Sequence, residues 1–153
     1  MLCLRSLIVM RVVVQRVSKA QVRVEGEVVG MIETGLLVLV GFASKDGHDQ
    51  LRWMAEKLWG LRIFPDAEGK MNLSATDIGG QMLVVSQFTL YGDVHRGRRP
   101  SFVGAAAPEA ASPLFEEFTG LCREYGPVAE GNFGAMMEVE SINDGPVTLI
   151  MAR

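Results

Sequence analysis

Apolar positions along the chain change their period several times, and each change marks an element. Residues 11–17 (RVVVQRV) and 20–25 (AQVRVE) are rich in β-formers, and the second run alternates polar and apolar side chains. Gly26-Glu27 then reads as a turn into a partner strand at residues 28–32, giving a hairpin. Gly35 precedes LLVLVGFA, a continuous apolar run of the kind found in a strand buried on both faces. From Asp46 to Leu61 the period becomes helical: Leu51, Met54, Ala55, Leu58 and Leu61 recur three or four apart, with Asp46 as a plausible N-cap.

Beyond that helix, residues 62–64 read as a short strand, with a turn at PDAEG and residues 71–73 pairing back across it. Gly79-Gly80 marks a turn before QMLVVSQFTL, whose Leu83-Val84-Val85 centre argues for a central strand. Residues 91–104 are irregular, basic and rich in Gly and Pro. A second helix follows over residues 108–125, with Leu114, Phe115, Phe118, Leu121 and Cys122 on one stripe. Pro113 leaves two starts open, either Ser112 as N-cap with Pro113 in first position, or a helix from Pro108 kinked at Pro113. Residues 128–130, 136–142 and 147–151 complete the strands, and Asn143-Asp144-Gly145-Pro146 interrupts the last pair. With frequent hairpins and no repeat or linker, this order predicts an α+β single domain of mostly antiparallel strands with two main helices.

The 153 residues suit one domain, and a hydrophobic fraction of 48% marks a packed core. A net charge of −3 carries no global signature of nucleic-acid binding, so a local basic patch would have to do that work. Cys3 and Cys122 are far apart and outside any C-x-x-C pair, and His48 and His95 are the only histidines. We therefore expect no metal site, no cofactor and a reducing, cytoplasmic setting. The start, MLCLRSLIVM, is too short for a membrane span and lacks a cleavage pattern. We read residues 1–9 as an N-terminal extension ahead of a domain over residues 10–153.

The familiar catalytic sets are missing: the sequence has no G-x-S-x-G elbow, no H-E-x-x-H and no Walker-type glycine loop. Two stretches stand out instead. In SQFTLYGD, Ser86, Gln87 and Thr89 bring hydroxyl and amide groups to the end of a buried strand, where they could simply satisfy nearby backbone. In NDGPVT the Gly-Pro bond could be cis, or the segment could be an ordinary turn. Together, and with MRVVVQRVSKAQVRVEGEVVG, GLLVLVGF, RIFPDAEGKMNLS, RGRRPSF and ESINDGPVT, they make the chain resemble the D-aminoacyl-tRNA deacylases from Met10 to the C-terminus. SQFTL and NDGPVT are the two signatures of that family.

The resemblance implies a compact layered β/β/α fold, working as a homodimer that hydrolyses the ester of D-aminoacyl-tRNA at its 3′ CCA end. Membrane and DNA partners are not implied. Ser86, Gln87, Phe88 and Thr89 would form the catalytic pocket, while Asn143, Gly145 and Pro146 would form a chiral gate inserted into the other subunit, with Arg16 supporting it. Such a gate would reject L-esters by clash and leave D side chains free, so glycyl-tRNA(Ala) would escape exclusion. Hydrolysis has two versions: Thr89 attacks as a nucleophile, or water attacks with help from the tRNA 2′-OH while N–H groups near Phe88 and Thr89 hold the oxyanion. Arg96, Arg98 and Arg99 are candidates for tRNA phosphates, with Arg11, Arg16, Lys19 and Arg23 as a second cationic set. Phe88 or Phe133 could stack on CCA bases. A non-catalytic dimeric RNA-binding module and a small-ester hydrolase are the competing classes.

Overall fold

The computed structural model describes residues 8–153. Along them run β1 (Arg11–Val24), β2 (Glu27–Ile32), β3 (Gly35–Gly41), α1 (His48–Gly60), β4 (Phe64–Pro65), β5 (Met71–Leu73), β6 (Gln81–Ser86), α2 (Pro108–Arg123), β7 (Val128–Glu130) and β8 (Glu138–Ala152). The main sheet has the order β2-β1-β3-β6-β7, and β8 also pairs with β1. β1 pairs antiparallel with β2, β3 and β8, whereas β3–β6 and β6–β7 are parallel. β4 and β5 form a separate two-stranded ribbon. This is the α+β class expected from the hydrophobic pattern.

The continuous apolar run of β3 is explained by packing on both sides of the sheet. Leu36, Val38 and Val40 join the cluster formed with Leu51, Met54, Leu58, Phe115 and Phe118 of the two helices. Leu37 faces the other way, into a smaller cluster with Val17, Ala20, Val22, Leu83 and Val85. Trp59 is almost wholly buried and its indole N–H donates to the Cys122 carbonyl at 2.9 Å, joining α1 to α2.

Three local expectations are corrected. The first two predicted strands are one strand, β1, with pairing shifts around Val17 and Lys19. The irregularity changes which face each residue meets: Val12 and Val14 lie on the helix side, but Val17, Ala20 and Val22 on the other. The last two predicted strands are likewise one, β8, which keeps pairing to β1 on both sides of the Asn143–Pro146 interruption. Asp46 does not cap α1; Gly47 does, and the Asp46 carboxylate instead accepts from the backbone N–H of Ala43 at 2.7 Å and Met10 at 3.1 Å. Of the two starts left open for the second helix, the structure takes the one at Pro108, with Pro113 inside the helix. Pro108 fills a position whose N–H has no partner within the helix, so that start costs nothing there.

Most of the extension read at residues 1–9, including Cys3, lies outside the described residues. Among those described, no helix is long and apolar enough to cross a membrane.

Candidate active site

β6 ends at Ser86, directly beside Val40 of β3. The next N–H, from Gln87, donates to the Val40 carbonyl at 2.7 Å, and the chain then coils into a 3-10 turn over Phe88–Tyr91. Leu90 N–H closes on the Gln87 carbonyl at 3.2 Å, and Gly92 N–H on that of Thr89 at 3.0 Å. Phe88 and Thr89 are the first residues of this turn, so their N–H groups have no partner within it. The Gln87 amide donates to the Thr89 hydroxyl. Thr89 is exposed, as is Phe88, whose ring meets Phe102 edge-on at 5.1 Å.

Ser86 and Phe88 open onto a pocket of about 380 Å³, walled by Phe42, Phe102, Ala106 and Phe133. None of the residues lining it is ionisable. An aromatic and aliphatic wall beside a turn whose first N–H groups have no partner within it can hold an apolar or stacked group and stabilise developing negative charge. It offers no side-chain base of its own. Sequence reasoning found Ser86, Phe88 and Phe133 but missed Phe42 and Ala106, whose apolar runs carry only a core signal.

The second signature is a bulge rather than a hairpin turn. Gln15 of β1 faces Thr148 and Val17 faces Asn143, so residues 144–147 bow out opposite Arg16 alone. Asn143 closes the base: its side-chain oxygen accepts from Val147 N–H at 2.7 Å, and its amide donates to the Thr148 hydroxyl at 3.0 Å. Arg16 is only 9% exposed and donates to the Asp144 carbonyl at 2.8 Å and the Ile63 carbonyl at 2.6 Å. The Gly145–Pro146 bond is cis. Gly145 has φ +142°, and a Cβ there would lie 2.8 Å from Val147 Cγ2 and 3.1 Å from Arg16 Nη2. Asp144, Gly145 and Pro146 are nevertheless exposed, leaving the backbone of the bulge held from beneath and open outward.

The two signatures stand far apart within one chain. Arg16 faces Leu36, and Val40 faces Ser86, so the bulge and the turn lie at opposite ends of β3. Four residues of strand amount to about 13 Å, with three further strand spacings across the sheet, from β6 through β3 and β1 to β8.

The basic residues divide in two. Arg96, Arg98 and Arg99 are exposed on a loop pinched at its base by Asp93 and Ser101, next to the pocket-lining Phe102. In the other set, Arg11 donates to the Leu90 carbonyl, Arg16 holds the bulge and Arg23 pairs with Glu140 at 3.2 Å. Of that set Lys19 remains exposed. Burial pushes the Cys122 thiol up to about 12, so it is no nucleophile at neutral pH. Among the described residues no three His, Cys, Asp or Glu side chains are grouped to hold a metal.

The model of the family described as D-Tyr-tRNA(Tyr) deacylase matches residues 13–152. The chain belongs to this family. It is 58% identical to a D-aminoacyl-tRNA deacylase of Desulfatibacillum aliphaticivorans over 143 residues, 93% of this chain and 98% of the relative. It is 54% identical to one of Thermosipho africanus (strain TCF52B), over 93% of this chain and 96% of the relative. A solved structure described as c-Myc DNA Unwinding Element Binding Protein overlays with TM-score 0.87 at 39% identity, covering 92% of this chain and 97% of that one. Another, of a probable eukaryotic D-amino acid tRNA deacylase, overlays at TM-score 0.80 and 21% identity, covering 94% of this chain and 99% of that one, a likeness of fold. As a member of the deacylase family, the chain is an ester-hydrolysing enzyme.

Proposed function

We propose that the protein hydrolyses the ester of D-aminoacyl-tRNA in the pocket at the end of β6, and that the gate of that pocket comes from a second copy of the chain. The observation that carries the gate is the separation of the two signatures: the bulge is exposed, rigidly held and too far from Ser86 to serve its own pocket. β8, which carries the bulge, has an edge with no strand partner among the described residues, and Ile142 and Ile150 on it are 58% and 82% exposed. An open edge with apolar side chains suits association of two copies.

In this arrangement the backbone at Gly145 and Pro146 holds the α-amino group of the ester and crowds the direction an L side chain would take. D side chains point outward. Glycine has no side chain to reject, so glycyl-tRNA(Ala) is also a substrate. The N–H groups of Phe88 and Thr89 face the developing oxyanion, a contribution of about 3 kcal/mol for a well-aimed donor. Thr89 is engaged with Gln87 and has no base among the residues lining the pocket, so water attacks, aided by the 2′-OH of the terminal adenosine. Phe88 or Phe133 stacks on the terminal base, and Arg96, Arg98 and Arg99 meet the phosphates behind it.

Incubation with D- and L-tyrosyl-tRNA tests the reading. Loss of the D ester alone is expected. Binding without hydrolysis would favour an RNA-binding module, and equal cleavage of free D-tyrosine esters would remove the tRNA from the reaction. Thr89→Val should keep turnover within about threefold; a collapse to background would restore the nucleophile version.

A further inference from the structure

The far end of the Phe88–Tyr91 turn is held by a brace. Tyr91 is buried, and its hydroxyl lies 2.6 Å from the Val9 carbonyl and 3.0 Å from that of Gly41. One phenol hydrogen is thus shared between two backbone carbonyls. Burial, with the Asp46 charge adding to it, pushes the phenol far above its ordinary value, so it remains a donor. Arg11 completes the brace. Its Nη1 donates to the Leu90 carbonyl at 3.0 Å, and its guanidinium lies 4.9 Å from the centre of the Tyr91 ring.

The brace reaches the pocket through Gly41. A Cβ on Gly41 would lie 2.7 Å from Tyr91 Cε2 and 3.1 Å from the Gln87 carbonyl, so the ring rests directly on the β3 backbone. Gly41 itself lines the pocket, and the Gln87 carbonyl receives the hydrogen bond that closes the turn. The Tyr91 hydroxyl, the Tyr91 ring and the Arg11 guanidinium therefore fix the turn from its C-terminal side, while Gln87 N–H fixes it to Val40 from the other. The N–H groups of Phe88 and Thr89 lie between these two anchors.

We infer that Arg11 and Tyr91 are positioning residues for hydrolysis, setting the direction of the Phe88 and Thr89 N–H groups without touching substrate. This rests on the reading that the turn at Ser86 to Thr89 is where the ester is cut. A donor misdirected by a fraction of an ångström stabilises the oxyanion less while leaving ground-state binding largely intact, so the effect belongs in kcat.

Tyr91→Phe keeps the ring and removes the hydroxyl, and Arg11→Met keeps much of the length and removes the charge. Each should lower kcat on D-tyrosyl-tRNA about tenfold with KM within about twofold, and Arg11→Lys should recover much of the loss. A kcat within about twofold of wild type in both variants would overturn the inference, as would a loss carried wholly by KM. A loss that vanishes when the assay is run well below each variant's unfolding temperature would overturn it too. Ala105→Phe, placed in the pocket wall, separates this from the underlying reading. If that variant abolishes turnover while the brace variants are neutral, the brace fails and the site stands. If a folded Ala105→Phe protein turns over normally, the site itself is wrong and the brace falls with it.

Discussion

Two irregular backbone segments sit on the same sheet, and they are held by different means. The turn at Phe88–Tyr91 is tied to β3 by the Gln87 N–H and by a buried ring, and under the proposed mechanism it acts through N–H groups of its own backbone. The bulge at residues 144–147 leans on side chains: Arg16 beneath it and Asn143 across its base. The turn should therefore tolerate changes to its exposed side chains, whereas the bulge should fail when its supports or its glycine are altered. The contrast also fits a division of labour in which one segment stabilises charge and the other shapes the space around it.

The sharpest way to break the contrast is Gly145→Ala. The added methyl meets Val147 Cγ2 at 2.8 Å, Val147 N at 3.0 Å and Arg16 Nη2 at 3.1 Å, at a φ that L residues seldom adopt. We expect kcat/KM on D-tyrosyl-tRNA to fall about a hundredfold, in contrast to the near-normal Thr89→Val turn variant. Arg16→Met should be next. It strands the Ile63 and Asp144 carbonyls, so denaturant unfolding should register a loss of about 1–3 kcal/mol alongside a smaller fall in activity. Chemical denaturation at neutral pH measures the first, and steady-state deacylation the second.

The exposed cations offer a gentler comparison. With Arg96, Arg98 and Arg99 all changed to Gln, the log–log dependence of KM on salt should flatten by about 0.7 for each phosphate no longer neutralised, with little change in kcat. The same exchange at Arg23, which already pairs with Glu140, should leave the slope in place.

The smallest effect concerns acid. The Lys70 N–H, with help from Glu68 N–H and Asn72, holds the Asp66 carboxyl below the usual carboxylate range. Its folded value is thus depressed, so its contribution is present above the unfolded value and is lost as pH falls through the folded one. Asp46 runs the other way, because burial raises its carboxyl and its ionisation opposes folding as pH rises through that range. Asp66→Asn should therefore lower Tm slightly at neutral pH and flatten its decline between about pH 5 and pH 2. An unchanged slope would remove Asp66 from the acid response.

Much of this was legible from residue patterns. The double-sided burial of β3, the helical stripe of α1 and the pairing of residues 71–73 with Phe64 follow from period and turn chemistry. What the pattern hid was continuity. A bulge shifts the phase of an alternating strand, and so β1 reads as two strands around Ser18 and Lys19, and β8 as two around Asn143 to Pro146. Capping misled for a related reason: Asp46 has the right chemistry for an N-cap, but two backbone N–H groups nearby claim its carboxylate first. At the site, polar residues at a strand end and a Gly-Pro in a strand were visible as anomalies. Phe42, Ala106 and the Tyr91 brace were not, because apolar and aromatic residues look the same in a wall, a brace or a core.

The claim that one copy's bulge completes the other's pocket can be tested by mixing two disabled proteins. One carries Gly145→Ala with an intact pocket, and the other carries Ala105→Phe with an intact bulge. After unfolding and refolding together, half the dimers pair one of each, and each such dimer holds one good pocket facing one good bulge. Activity on D-tyrosyl-tRNA should then return to about a quarter of wild type. A mixture that stays at the level of the two parents would contradict the claim, since a bulge serving its own pocket cannot be rescued by a neighbour.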